Sequence, residues 1–293
     1  ANTSKMKISV VVINYNLGDY LESTLLSIID QNYSDLELIV IDGGSTDHSL
    51  EIINKYKGSI HYFVSEKDNG MYEALNKGLR VCTGEIMTFI NSDDVLYSNS
   101  FFTVAKIFKQ YRSIDWITGI PNHIDEIGRI VWSSEPKIWT PYHYKNKNFK
   151  YIQQEGTFWR KELWQKAGSY VSTQYKYAGD LELWSRFFSY ADLYTVPCFL
   201  GAFRVRSKNQ TSFEKINLYD LEAELILEAA PSYERIDANV LKISKTHAFN
   251  FLVFHKLFRV LKIINFEKAY NELFPSRLLL KYDRKQQSFY LDL

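Results

Sequence analysis

A chain of 293 residues that is 46% hydrophobic can bury a sizeable core, which excludes a disordered chain and a miniature scaffold held together by staples. Its 35 lysines and arginines offset 34 aspartates and glutamates, so no overall field draws it to nucleic acid, and charge recognition has to be local. Along the chain, Ile8 to Ile13 is rich in β-branched residues and apolar on both faces, as a parallel strand covered by helices should be, and it ends in Asn14-Tyr15-Asn16. Leu21, Leu25, Ile28 and Ile29 follow at helical spacing, and Leu36 to Ile41 reads as a second buried strand running into Asp42-Gly43-Gly44-Ser45-Thr46-Asp47. A helix through Leu50, Ile53 and Tyr56 precedes a strand at Ile60 to Val64, after which come Asp68, Asn69 and Gly70. Met71, Ala74, Leu75, Gly78, Leu79 and Cys82 mark one face of the next helix, which makes Cys82 a core residue. Glu85 to Ile90 is the fourth strand and delivers Asn91-Ser92-Asp93-Asp94.

Strands alternating with helices predict an open, mostly parallel sheet whose loops converge at the carboxyl ends of the strands. Asn14, Tyr15, Asn16, Asp42, Asp68, Asn69, Gly70, Asp93 and Asp94 all fall there. They offer an aromatic face, amides, hydroxyl-binding carboxylates and oxygen ligands for a hard divalent cation, which is what a nucleoside diphosphate requires. Glycine-rich phosphate loops of the dinucleotide and P-loop types are absent, so phosphate charge has to be met by a cation. Read singly, Asp42 and Asp47 could shape a Gly-Gly turn, with Asp47 capping the next helix, and Tyr15 could be a strand-end core aromatic.

In this order and spacing, the segments Ser9 to Asn16, Ile41 to Asp47, Glu66 to Gly78, Gly84 to Asp94, Gln154 to Arg160 and Gly179 to Trp184 resemble a bacterial family 2 glycosyltransferase with the GT-A fold, over roughly Lys7 to Ser212. The resemblance implies an α/β GT-A domain at 1–212 and a helical C-terminal extension at 213–293. It implies inverting, metal-dependent transfer of a hexosyl or N-acetylhexosaminyl group from a nucleoside-diphosphate-sugar, a UDP-sugar foremost, to a hydroxyl of a glycan, glycolipid, lipid-linked or glycoprotein acceptor. Tyr15 would stack on the base, Asp42 would hydrogen-bond it, Asn14, Asn16, Asp68 and Gly70 would line the nucleotide pocket, and Asp93 would bind the ribose. Asp94 would coordinate Mg²⁺ or Mn²⁺, and Asp180 would be the general base. Without that resemblance Asp180 reads as a helix N-cap. A GT-A module that binds nucleotide-sugar without turnover is the alternative.

The chain departs from the family pattern at two places. Gly179 stands where many members carry Glu, leaving Glu155, Glu182 or no residue at all to supply an acidic acceptor contact, and Arg206 stands near where members often place a His, which points it at the diphosphate or at solvent in a basic loop. All six histidines read as structural or surface residues, and Trp159, Trp164 and Trp184 as core, with Trp159 a candidate to flank an acceptor sugar. Cys82 and Cys198 sit in no metal-ligand or redox spacing, and no run approaches the ~20 apolar residues that cross a bilayer. The start lacks the pattern of a secretory leader, and the sparse, unpatterned cysteines fit a reducing cytoplasm, so a cytoplasmic protein, soluble or peripheral, is expected. Beyond Ser212, Leu218 to Ala230 reads as a helix, and Phe249 to Ile264 as a basic amphipathic one that could pack on the catalytic domain, join a homodimer or touch the inner face of a membrane.

Overall fold

The computed structural model describes residues 6–141, 152–207, 215–230 and 278–291. The first strand, β1 (Ile8–Asn14), is buried along its whole length. Successive side chains on a strand face opposite ways, so Val11 and Ile13 enter one apolar cluster while Ile8, Val10 and Val12 enter the other. A strand sandwiched between two helical layers has to be apolar on both faces, and the buried Ser9 within it is satisfied by donating to Glu37 at 2.5 Å. On one side β1 continues through β2 (Leu36–Asp42) to β3 (Tyr62–Ser65), and on the other it meets β4 (Ile86–Asn91), all in parallel.

The crossovers are α1 (Gly18–Ile29), α2 (Ser49–Lys55) and α3 (Met71–Val81). The third helix lies close on the sheet because residue 78 is glycine: a Cβ there would collide with the Val11 side chain. Cys82 is buried, and its thiol donates to the Gly78 carbonyl at 3.4 Å, as a core residue.

After β4 the chain adds β5 (Val95–Leu96), α4 (Ser100–Gln110), β6 (Trp116–Thr118), β7 (Asn122–Ile124), β8 (Ile130–Ser133), β9 (Thr157–Arg160), α5 (Lys161–Lys166), α6 (Gly179–Phe188), β10 (Leu193–Thr195) and β11 (Gly201–Arg204). Among the described residues the main sheet has seven strands in the order β10-β6-β9-β4-β1-β2-β3, with β9 antiparallel to both neighbours and the other pairings parallel. The mostly parallel α/β sheet read from the sequence is therefore present. A smaller sheet, β5-β11-β7-β8, lies alongside.

Trp159, Trp164 and Trp184 are buried, and Trp159 packs edge-on against Phe89 and Trp184. Full burial removes Trp159 from any acceptor-facing surface, correcting that expectation.

The end of the chain departs from an all-helical extension. A helix is present, α7 (Ile216–Ala229), but its Ala223 and Ile226 enter the same core cluster as α3 and α6. The final described residues form a hairpin, β12 (Lys281–Asp283) with β13 (Ser288–Tyr290), and Leu280 and Phe289 are buried in the other cluster. The amphipathic segment Phe249 to Ile264, together with His143, His247 and His255, lies outside the described residues. No described helix is long and apolar enough to cross a membrane.

Candidate active site

Strand register sets up the site. Asn14 sits opposite Asp42, Asp42 opposite Ser65, and Ile13 opposite Asn91, so four polar residues form a row at the carboxyl edge of β1, β2, β3 and β4. Asp42 is fully buried in this row and accepts from Asn14 Nδ2 (2.7 Å), Ser45 Oγ (2.5 Å), Ser65 Oγ (2.6 Å) and the amides of Ser45 and Gly44. Burial alone would raise its pKa, but these donors outweigh burial and hold the carboxyl below its ordinary value. Asp42 thus organises the Gly-Gly turn. Asn14 Oδ1, beside it, is buried without a donor among the described residues. Asn16 adopts a left-handed conformation (φ 51°), its amide donates to Ser45 Oγ, and its Oδ1 accepts from the Thr46 amide. Asp47 accepts from the amides of Gly18 and Ser49, joining the starts of α1 and α2.

Above this row the loops leave a concave corner. Tyr15 is 63% exposed, so it is not a core aromatic. A Cβ on Gly43 would lie 2.8 Å from Asp68 Oδ2 and 3.3 Å from the Tyr15 ring, so Tyr15, Gly43 and Asp68 converge on one spot. Asp68 Oδ1 accepts from the Gly70 amide at 2.9 Å, and Gly70, at φ 130°, opens α3 in a conformation side chains rarely adopt. A flat aromatic face beside a carboxylate and an exposed helix start suits a base with its ribose.

The acidic pair after β4 is buried: Asp94 is 1% exposed. Its Oδ1 accepts the Arg204 amide at 2.7 Å, and Oδ2 accepts Asn91 Nδ2 at 3.2 Å. Glu155, from the turn before β9, brings its carboxyl into hydrogen-bonding contact with that of Asp94. Burial, with the neighbouring charges of Glu155 and Asp93, pushes Asp94 well up, and burial first of all pushes Glu155 up to about 7. Each of these two touching carboxyls therefore resists ionisation beside the other. Glu155 Oε2 is buried and has no donor among the described residues, an oxygen a cation would satisfy. Gly201 permits the arrangement, because a Cβ there would overlap the Glu155 carbonyl.

Asp93 is also raised, chiefly by burial and against the pull of Arg206, whose Nε lies 2.8 Å from Asp93 Oδ2. Arg204 is the hub beneath. It is 2% exposed and donates to the carbonyls of Asp93 (2.6 Å), Asp125 (3.0 Å) and Glu126 (2.9 Å), tying the acidic turn to the β7 to β8 connection.

Asp180 is the second residue of α6, and the cap position is Ala178, so Asp180 is not the N-cap of its helix. Tyr72, on α3, donates toward Asp180 Oδ1 (3.2 Å) and the Tyr177 carbonyl (3.1 Å). Burial raises the Asp180 carboxyl to about 6, with Tyr72 and nearby amides opposing. A Cβ on Gly179 would lie 2.8–2.9 Å from the Tyr72 ring, which explains why no side chain stands at that position. Glu182 is locked in a two-bond ion pair with Arg186 (2.7 and 2.8 Å), and Glu155 lies against Asp94, so the structure engages both candidates for the missing acceptor contact elsewhere.

The roles of Tyr72, Arg204 and the Glu155–Asp94 contact were not read from the sequence. Tyr72 and Glu155 lie inside the motif segments, but their partners are set by long-range packing.

The family model for glycosyl transferase family 2 matches residues 9–161. A Nostoc sp. protein named as uncharacterized glycosyltransferase alr2836 is 30% identical over 125 residues, covering 42% of this chain and 38% of the relative. The chain spans less than half the length of such curated relatives. Among solved structures, Staphylococcus aureus TarS 1-349 in complex with UDP-GlcNAc superimposes with a TM-score of 0.60 at 18% identity, covering 93% of this chain and 83% of that one. The mannosyltransferase PcManGT of Pyrobaculum calidifontis, in complex with GDP-Man and Mn²⁺, does so with a TM-score of 0.55 at 14% identity, over 92% and 84%. These likenesses identify the architecture as GT-A, and with the motif-bearing strand ends matched in one stretch, the chain belongs to glycosyl transferase family 2.

Proposed function

We propose that this protein is an inverting glycosyltransferase that moves a hexosyl or N-acetylhexosaminyl group from a UDP-sugar to a hydroxyl of a glycan, glycolipid or lipid-linked acceptor. The observation that carries the reading is Asp180. It is a carboxyl raised to about 6 on a rigid helix start, so it is ionised at neutral pH yet basic enough to take a proton.

Tyr15 stacks on the base, Asp68 with the Gly70 amide lines the ribose side, and Asn14, Asn16 and Asp42 hold the floor on which the base rests. Asp93 binds the ribose, and Arg206 orients it while adding positive charge beside the diphosphate. The buried Asp94 and Glu155 oxygens fit a hard cation. Mg²⁺ or Mn²⁺ held there would supply Lewis-acid stabilisation to the departing diphosphate. Asp180 accepts the acceptor hydroxyl proton as that oxygen bonds to the anomeric carbon, and the bond to the diphosphate breaks on the opposite face, inverting the centre. General-base help of this kind is typically worth ~10²–10⁴-fold.

A panel of nucleotide-sugars with Mn²⁺, assayed for nucleoside diphosphate release and transfer product with wild type and Asp180→Asn, tests the reading. Product from wild type and a deep loss in the variant support it. Donor binding without turnover across the panel and a range of acceptors would favour a binding module instead.

A further inference from the structure

We propose that Glu222, on α7, is a positioning residue for the base. Its carboxylate accepts three consecutive backbone amides from the turn that leads into α6: Oε1 takes Lys176 (2.8 Å), and Oε2 takes Tyr177 (2.7 Å) and Ala178 (2.9 Å). Ala178 is the cap position of α6, whose amide has no acceptor within the helix, and the amides of Lys176 and Tyr177 lie in the turn before it. A single side chain from a separate element accepts all three, and a run of amides converging on one carboxylate is a strong, directional grip. Asp180 follows two residues after the last of these amides. On the other side of the turn, Tyr72 holds the Tyr177 carbonyl and Asp180 itself.

The base is therefore clamped from two helices, one inside the family-matched region and one beyond it. Ala223 and Ile226, one and four residues after Glu222 on α7, are buried in the shared core, so the carboxylate is delivered by a packed helix. Helix α7 is thus part of the catalytic frame. Glu222 touches no reacting atom, so its effect passes through the placement of Asp180, where a displacement of about 1 Å can cost ~10²-fold.

This inference rests on Asp180 being the base. Its test uses the full chain, with Glu222→Ala, Glu222→Gln, Asp180→Asn and, as a control on an exposed position of the same helix, Leu225→Ala. Turnover is measured with the donor selected by the nucleotide-sugar panel, and donor-site integrity by UDP binding with Mn²⁺. Glu222→Ala is expected to lower kcat by about 10- to 100-fold while leaving UDP affinity at wild-type strength. Glu222→Gln, which keeps one carbonyl oxygen for the Tyr177 and Ala178 amides, is expected to fall between the two. Hydrogen exchange on the wild type supplies a measurement independent of any variant's folding: the amides of residues 176–178 should exchange slowly.

Three results would overturn the clamp. One is Glu222→Ala turning over at the wild-type rate while Asp180→Asn is inactive. Another is UDP affinity and kcat falling together in both Glu222→Ala and Leu225→Ala. The third is fast exchange at all three amides. An Asp180→Asn variant with wild-type activity would instead remove the base assignment on which the clamp depends.

Discussion

Tyr72 and Asp180 are 108 positions apart in the chain, yet the Tyr72 hydroxyl lies 3.2 Å from the Asp180 carboxylate. The same ring fills the space a side chain at residue 179 would need. One tyrosine therefore both touches the proposed base and accounts for the glycine beside it. The consequences can be measured separately.

Asp180 sets the acid limb. A base with a pKa of about 6 has to be ionised to act, so kcat should fall as pH drops through about 6. The stability consequence has the opposite sense. Because folding raises this pKa from 3.8, ionisation opposes the fold fully above pH 6, and the penalty disappears below 3.8, where both states are protonated. Asp180→Asn should therefore be inactive but more stable by about 1–3 kcal/mol at pH 7.5, with the gain vanishing near pH 4. Denaturant unfolding at the two pH values checks this.

Tyr72→Phe keeps the ring and removes the donor. Losing a hydrogen bond to the ionised carboxylate should move the acid limb upward by about one to two pH units, since such bonds contribute roughly 1.5–3 kcal/mol in proteins. A pH–rate profile with the midpoint unmoved would show that the hydroxyl does not influence the base.

Restoring the commoner family residue should fail. Gly179→Glu places a Cβ 2.8–2.9 Å from the Tyr72 ring and is expected to destabilise the fold by about 1–3 kcal/mol. Combining it with Tyr72→Ala should cost less than the sum of the two changes, by about 1 kcal/mol or more. A double-mutant cycle in denaturant measures the coupling.

Tyr15 tests the base platform. At 63% exposure its ring contributes little to the core, so Tyr15→Ala should unfold at the wild-type temperature. Affinity for UDP should drop by about 1–3 kcal/mol, the range seen when an aromatic stacking partner is truncated. Calorimetric titration of UDP reads this directly.

Cation binding should appear as a thermal shift. Mn²⁺ is expected to raise the Tm of the wild type and EDTA to reverse it, because a cation at Asp94 and Glu155 would offset the negative charge that burial disfavours on these carboxyls. Asp94→Asn removes one of two mutually destabilised carboxyls, so it should melt higher than wild type in EDTA and give no shift with Mn²⁺. An undiminished shift in this variant would place the cation elsewhere.

Contiguous pattern was enough to read the first four strands, the helices between them and the polar loops at their carboxyl ends. Periodicity of two or 3.6 is a property of neighbouring residues and survives without any knowledge of packing. Asn14, Tyr15, Asp42, Asp68, Asp93 and Asp94 could be singled out for that reason: each ends or follows a strand whose direction places it on the same edge. What the linear order could not carry is which side chains meet across the fold. Glu155 reads from the sequence as a candidate acceptor contact but touches Asp94, and no local pattern singles out Arg204, whose amide binds that same aspartate from 110 positions away. Tyr72 and Glu222 converge on the Asp180 turn from two different helices. Such contacts are set by helix and sheet packing and by glycines at points of close approach, which only the assembled chain specifies.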